Sequence, residues 1–202
     1  MNIVRKLNRS VDSLKLQGLK VSDIVNKLEN KFGQYFITVE HHKTRTSGFS
    51  ITAYHHCEKR KSSLFLCTKS DWKLKKKEYE EFKFEIVSTI LHEQVHNRQF
   101  EKRLEILHEY ECGFHRNDVN KTEDQNYYGN PDEIEAYAND IILELSKAGK
   151  VEEGLRRPKK VGINHSNYLY TYYRAFKSFR HPDMKRLLKE CYKIKDKVKW
   201  ET

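Results

Sequence analysis

A change of periodicity near residue 79 separates a strand-forming region from a helix-forming region. Before it, β-branched and aromatic residues fill three short runs, at 35–39, 49–54 and 63–67, with polar stretches between them. From Tyr79 onward, apolar residues recur every three or four positions. These patterns predict three strands in hairpin succession, followed by a long buried helix. The chain is therefore expected to be an α+β protein.

Helix-ending residues set the bounds of the neighbouring elements. Apolar positions over 11–28 predict one or two opening helices, broken near Gly18, with Ser22 as N-cap of the second and Gly33 at its end. Residues 108–130 are expected to form a polar loop.

A later helix is marked by Asn130 as N-cap, Pro131 in the first helical position and Glu133 in a capping box, and it is expected to end at Gly149. A basic loop and two aromatic-rich helices, at 166–180 and 183–195, are expected to follow.

The long helix carries the pattern His92-Glu93-x-x-His96. Residues four apart lie on one helical face, so the two imidazoles can converge on one ion. Zinc suits such a pair because it accepts tetrahedral nitrogen ligands and an open position for water. Glu93 stands beside the pair and can take a proton from that water. The pattern also arises by chance, so a third ligand is needed.

An acidic helix follows at 130–140, with the sequence NPDEIEAYAND. The order of helix, small sheet, HExxH helix and Glu-bearing helix resembles the gluzincin branch of the zincin metallopeptidases. The combination of HExxHxxQ with ExEAxA is also similar to small HExxH proteins encoded by bacteriophages. The resemblance covers 79–145 by motif and 10–150 by element order.

The resemblance implies a minimal zincin-like fold over 1–150, with an N-terminal helix, a small antiparallel sheet, a central HExxH helix and a downstream Glu-bearing helix. Residues 151–202 are expected to form a basic, aromatic-rich helical extension, which the resemblance does not cover. The implied activity is zinc-dependent hydrolysis of a protein or peptide substrate. An extended substrate would pair with an edge strand, which we expect at 63–67.

The resemblance also implies the roles of single residues. His92, His96 and Glu135 would bind Zn²⁺, and Glu93 would act as general base. Asn139 stands four residues after Glu135, where thermolysin-like members have an Asp that orients a ligand histidine.

Nearby carboxylates and polar residues leave choices open. Glu133 and Asp132 are the alternatives to Glu135, although Glu133 has a sufficient duty in the capping box. Gln99 is expected on the same face as His92, either lining the site or in solvent. Oxyanion stabilisation needs a further donor, and the candidates are Tyr127, Tyr128, Tyr137, His165 and Tyr168.

Two further histidines keep another ligand set open. His108 and His115 follow the motif at separations similar to those in SprT-like and Spartan-type proteases, where the third ligand is a histidine and DNA is bound. His108 would lie about 18 Å along the helix from His96, so His115 is the alternative metal ligand. A third possibility is a catalytically silent zincin fold in a virion or interaction protein. The pairs His41-His42 and His55-His56 are expected at the surface.

Charge and composition indicate which partners and which cellular compartment to expect. The net charge is +10, with basic runs at 73–77, 156–160 and 185–199, which favours weak contact with nucleic acid or another polyanion. The sequence has no apolar run long enough to span a membrane and no pattern typical of a secretory signal. Four cysteines without a CxxC motif predict reduced thiols in the cytoplasm, or in a virion if the protein is phage-encoded. A Cys57–Cys67 pair is the alternative in an oxidising compartment.

Overall fold

The computed structural model describes residues 3–33, 37–45, 47–56, 61–107 and 118–200. Its contacts form two compact units: an N-terminal unit, Lys6–Cys112, and a C-terminal unit, Gly113–Thr202 together with Met1–Arg5. The predicted domain boundary at residue 150 is a different division of the chain and stays a prediction. Among the described residues, no helix has the length and apolarity that a membrane crossing requires.

The first half of the chain contains the predicted strands and the long helix. Its elements are α1 (Ile3–Ser13), α2 (Val21–Phe32), β1 (Ile37–Lys43), β2 (Phe49–His56), β3 (Lys61–Thr68), a 3₁₀ turn (Lys76–Glu78) and α3 (Tyr79–Leu107). Gly33 ends α2 as predicted. The N-cap is Lys20 rather than Ser22, which lies inside the first turn.

The sheet has the order β1-β3-β2, so the predicted antiparallel hairpin succession is wrong. β1 pairs with β3 in parallel, and β2 pairs with β3 in antiparallel fashion. β3 is buried along most of its length, which is typical of a central strand. Because β3 lies between the other two, the expectation of a substrate-binding edge at 63–67 is wrong as well.

The two outer strands of this sheet carry one helix each. α2 packs against β1, and α3 packs against β2. The ring of Phe49 on β2 lies 5.6 Å from that of Trp72 and 5.2 Å from that of Phe82 on α3. At the start of α3, the Tyr79 hydroxyl donates a hydrogen bond of 2.8 Å to Asp12. These contacts hold α3 on the sheet and so fix the HExxH segment relative to β2.

The C-terminal unit is helical in the residues described. Its elements are α4 (Glu123–Tyr128), α5 (Pro131–Lys147), α6 (Val151–Arg156), a π-helical turn (Pro158–Gly162), α7 (Ile163–His165), α8 (Asn167–Phe176) and α9 (Pro182–Ile194). α5 packs against α8 and α9. Its N-cap is Asn130, as predicted, and that side chain accepts a hydrogen bond from the Asp132 N–H.

Two stretches predicted as loops contain helices. α4 lies within the predicted loop 108–130, because Thr122 and Gln125 form a capping box that starts a helix there. The predicted basic loop after α5 is α6 followed by the π-helical turn. Residues 108–117 lie outside the described part of the chain.

Candidate metal centre

Helix α3 brings His92 and His96 together on one face. Their Nε2 atoms are 3.1 Å apart, and their ring centroids are 4.8 Å apart. Two nitrogen ligands at 2.0–2.1 Å from a tetrahedral zinc ion would be about 3.3 Å apart. Both side chains are half-buried, so the pair keeps an accessible side. The spacing of the two nitrogens therefore fits a shared zinc ion.

Gln99 fixes the orientation of the second histidine. Its Oε1 lies 3.1 Å from Nδ1 of His96 and accepts the hydrogen bond, so the neutral ring carries its proton on Nδ1. Nε2 then has its lone pair directed toward His92. Burial, followed by the neighbouring His92, lowers the pKa of His96 to about 3. The ring is therefore neutral near pH 7, the state that binds a metal.

Glu93 is buried, with 7 % of its surface exposed. It follows His92 in the sequence, so its side chain leaves α3 on the adjacent side of the helix. A buried carboxylate costs free energy, so buried glutamates in proteins are paired or functional. Its position suits the predicted role as proton acceptor, which stays a prediction.

Two residues near His96 were not identified from the sequence, His55 on β2 and Arg103 on α3. Both contribute to the lowered pKa of His96, which places them in its electrostatic neighbourhood. Nδ1 of His55 lies 3.0 Å from the Ser62 hydroxyl, and the His55 ring lies 6.4 Å from that of Phe100. Burial is the largest cause of the lowered pKa of His55, followed by His56 and Arg103. Arg103 thus adds a positive charge to the surroundings of the two histidines of the motif.

The expectation that four strand histidines lie at the surface holds only for His42, which is exposed. His41, His55 and His56 are half-buried, and their ring nitrogens form hydrogen bonds with hydroxyl groups of β3. The missed signal was the period of two along β2, where Phe49, Ile51, Ala53 and His55 alternate with more exposed residues. The position of Arg103 could have been predicted, because a residue seven positions after His96 lies on the same face of the helix.

The start of α5 in the C-terminal unit presents two glutamates in different surroundings. Glu135 is exposed, whereas Glu133 is half-buried. The charge of Glu133 contributes to raised pKa values of Tyr127, Tyr137 and Tyr172, after burial as the largest cause. A hydrogen bond with Glu133 also raises the pKa of Tyr127. Glu133 therefore lies among phenol groups, and its predicted part in a capping box stays a prediction.

These phenols belong to a tyrosine cluster formed by Tyr127, Tyr128, Tyr137, Tyr168 and Tyr172. The hydroxyls of Tyr127 and Tyr137 are 3.3 Å apart, and the Tyr137 ring lies 5.4 to 5.6 Å from three other rings of the cluster. All four candidate tyrosines for oxyanion stabilisation therefore lie within one cluster of the C-terminal unit. His165, the remaining candidate, is exposed at the end of α7.

The other predicted site residues lie on α5 or outside the described part of the chain. Asn139 is buried on α5, and its Nδ2 donates a hydrogen bond of 2.8 Å to the Glu135 carbonyl. Asp132 is buried in the first turn of the same helix. His115 and the Cys57 partner of the proposed disulfide lie outside the described residues. His92, Glu93, His96 and Gln99 belong to the N-terminal unit, whereas the α5 residues belong to the C-terminal unit.

The resemblance to gluzincins rests on motif and element order alone. Comparison of the chain with protein-family models, with curated proteins and with solved structures finds no match.

Proposed function

We propose that this protein is a zinc-dependent peptidase that binds one zinc ion through His92, His96 and a carboxylate of α5. The observation that carries the proposal is the pair of Nε2 atoms 3.1 Å apart on one helical face. Supporting it are the neutral, Gln99-bonded state of His96 and the buried carboxylate of Glu93 beside the pair.

Of the α5 carboxylates, we favour Glu133 as the third ligand. Two residues apart on a helix, Glu133 and Glu135 point about 200° away from each other, so only one can serve. Glu133 is half-buried among phenol groups, which can orient a carboxylate by hydrogen bonding, while Glu135 is exposed to solvent. The choice of Glu135, which follows from the family pattern, stays the competing prediction.

The remaining groups of the N-terminal unit have complementary duties in peptide hydrolysis. When bound, zinc would supply Lewis acidity and lower the pKa of a water molecule toward neutrality. Glu93 takes a proton from the attacking water and passes it to the leaving amine. Gln99 holds the His96 ring in the ligating tautomer. Arg103 and His55 supply positive charge or a hydrogen bond for the negative oxygen that develops on the attacked carbonyl.

The corrected sheet order changes where a substrate would lie. β2 is an outer strand of the three-stranded sheet, packs against α3 and carries His55. A peptide in extended form can pair with the outer edge of such a strand through its backbone. We therefore place the substrate along β2 instead of β3.

Metal analysis tests this proposal. We expect about one zinc per chain in protein purified without chelator, and its loss from a variant that carries both His92→Ala and His96→Ala. Circular dichroism checks that the variant is folded. A folded wild-type protein that takes up no zinc when the ion is supplied would refute the proposal, as would full zinc retention by the double variant.

A matched pair of variants decides the third ligand. Glu133→Ala should abolish tight zinc binding in a competition titration with a chromogenic chelator, and Glu135→Ala should leave it near the wild-type value. The reverse result would restore Glu135 as the ligand. If both variants bind zinc as the wild type does, α5 supplies no ligand.

A further inference from the structure

A pocket of about 600 Å³ lies within the C-terminal unit, and none of its lining residues is a proposed zinc ligand. One wall is 157–160, which follows α6 and includes the first part of the π-helical turn. The other is formed by Tyr173 on α8 and by 177–180, which follow that helix. The volume falls in the range of small-ligand sites. A π-helical turn in a wall is noteworthy because such turns are frequent at functional sites.

The charge of this pocket is positive. Its lining includes Arg157, Lys159, Lys160, Lys177 and Arg180, all of them exposed. Arg157 pairs with Glu153 at 3.4 Å. For the other four cations, the described part of the chain contains no acidic side chain within ion-pair distance. No Asp or Glu occurs between Gly154 and Pro182, so the sequence itself leaves this region without counter-charge.

An aromatic pair lines the same pocket as the cations. Lys177 ends α8 in the left-handed conformation, with φ of 55°, and the chain turns back so that Phe179 stacks on Tyr173. The two ring centroids are 5.1 Å apart, and the planes differ by 16°. Both side chains are half-buried, so the stack keeps an accessible part in the pocket. A pocket lined by both an aromatic stack and cations suits a ligand with a planar ring and negative charge.

We propose that this pocket binds single-stranded nucleic acid, with a base against the Tyr173–Phe179 stack and phosphates on the surrounding cations. Proteins that bind single strands combine these two features, aromatic platforms and a basic groove. A single phosphate needs one or two cations, whereas this pocket offers five on two walls, which matches several phosphates in succession. A duplex does not present the face of a base to such a platform, because its bases are stacked on each other.

The binding site is separate from the proposed zinc ligands, so the experiment is independent of the metal. Fluorescence anisotropy measures binding of a fluorescein-labelled oligothymidylate to the full chain over a series of salt concentrations. The pocket variant changes Lys159, Lys160, Lys177 and Arg180 to Gln. A matched control changes Lys185, Arg186, Lys189 and Lys197, equally exposed cations in or just beyond α9, to Gln.

The wild type should bind the strand with an affinity that falls as salt rises. The pocket variant should bind more weakly, and its log–log salt slope should decrease by about 0.7 for each phosphate that is no longer neutralised by a cation. The α9 control should keep most of the affinity. Phe179→Leu, which keeps apolar bulk without an aromatic face, should weaken binding by roughly 5- to 150-fold, whereas Tyr192→Leu on α9 should not.

Three outcomes would overturn the proposal. Equal weakening by the pocket variant and the α9 control would assign binding to the net charge of the chain. A duplex of the same length that binds as tightly as the strand would exclude base stacking. Displacement of the oligonucleotide by free thymidine monophosphate at comparable concentration would make the pocket a site for a small nucleotide instead of a strand.

Discussion

The three side chains of the HExxH turn should differ in whether their replacement affects zinc binding or hydrolysis. His92 and His96 present nitrogen atoms to one point, whereas Glu93 lies on the adjacent side of the helix. Replacing Glu93 by Gln keeps the size and the buried position but removes the proton acceptor. We expect the Glu93→Gln variant to retain its zinc and to lose hydrolysis of a fluorescently labelled casein by at least a hundredfold.

Glu81→Gln is the matched control, because Glu81 is an exposed glutamate on the same helix. It should keep both zinc and activity. Loss of zinc from Glu93→Gln would mean that this carboxylate is a ligand. Unchanged hydrolysis in Glu93→Gln would show that the measured activity does not use it. A wild-type protein that holds zinc but cleaves nothing would favour the catalytically silent alternative.

Two buried tyrosines test how much the hydrogen bond of a single hydroxyl contributes to stability. The Tyr172 hydroxyl is fully buried and has no hydrogen-bond partner among the described residues. The Tyr79 side chain is also buried, and its hydroxyl donates a part-buried hydrogen bond to Asp12 at 2.8 Å. Tyr172→Phe should therefore leave the free energy of unfolding unchanged or raise it by up to about 1 kcal/mol, while Tyr79→Phe should lower it by about 0.5–1.5 kcal/mol. Urea unfolding of the two variants measures both; a large loss in Tyr172→Phe would reveal a partner for that hydroxyl.

The position of a single residue was predictable where it depended on one helix or strand alone. The i, i+4 and i, i+7 spacings predict that His92, His96 and Gln99 share a face, and the hydrogen bond between His96 and Gln99 requires that arrangement. His55 was not predicted, because its proximity to His96 depends on β2 packing against α3. The different surroundings of Glu133 and Glu135 likewise depend on the tyrosines around α5, which helix spacing alone does not show.

At the scale of elements, the π-helical turn depends on two glycines that meet closely. A Cβ on Gly162 would lie 2.7 Å from Leu169 Cδ2 and 2.9 Å from the Gly154 carbonyl oxygen. The leucine end can move, but the backbone oxygen cannot move without shifting α6. We therefore expect Gly162→Ala to lower the free energy of unfolding by about 1–3 kcal/mol, as overpacking does.

Gly33→Ala is the control for this prediction. Gly33 has φ of −56° at the end of α2, and no atom of the described residues lies within 4 Å of an added Cβ. Its replacement should be neutral or stabilise the protein by up to about 1 kcal/mol, because alanine restricts the unfolded chain. Thermal unfolding of the two variants gives the comparison. Equal stability of Gly162→Ala and the wild type would show that α6 and the turn can separate at little cost.

The sequence predicted which segments form strands and helices better than how they pair. Strand-forming residues at 37–43, 49–56 and 61–68 follow local preference, so β1, β2 and β3 appear near their predicted positions. Pairing depends on which strand is most buried, and β3 is the one that takes the centre. The short link between β1 and β2 suggested a hairpin, although the two strands do not pair. The α4 helix was missed because its capping box lies in a polar stretch.

At the scale of the whole molecule, the charge distribution was partly predictable. The run at 156–160 was identified as basic from the sequence, but local charge does not show what faces it. The turn after Lys177 brings the Tyr173–Phe179 stack and Arg180 to the same pocket, which joins two basic segments separated by a helix. Such a pocket is a property of the tertiary fold, because its two basic segments are brought together only by the packing of the helices between them.

The dependence of stability on pH is a property of the whole molecule that Glu144 should influence strongly. The Glu144 carboxylate accepts hydrogen bonds from the Ser166 hydroxyl at 2.6 Å and from the Tyr168 N–H at 3.2 Å, at the start of α8. Burial raises its pKa from 4.5 to about 7, although these hydrogen bonds oppose the increase. The folded chain therefore binds a proton at Glu144 more readily than the unfolded chain does.

Because protonation favours the folded state, the contribution of Glu144 is fully present below about pH 4.5 and is lost as the pH rises to about 7. The loss amounts to at most about 3 kcal/mol over that interval. Glu144→Gln, which cannot ionise but can still accept the same hydrogen bonds, should remove this decline and be more stable than the wild type at pH 8. Urea unfolding across pH 4 to 8 measures the difference, with Glu123→Gln, an exposed glutamate on α4, as control. If wild type and Glu144→Gln show parallel pH profiles, Glu144 has the same proton affinity in both states, and its carboxylate acts only as the cap of α8.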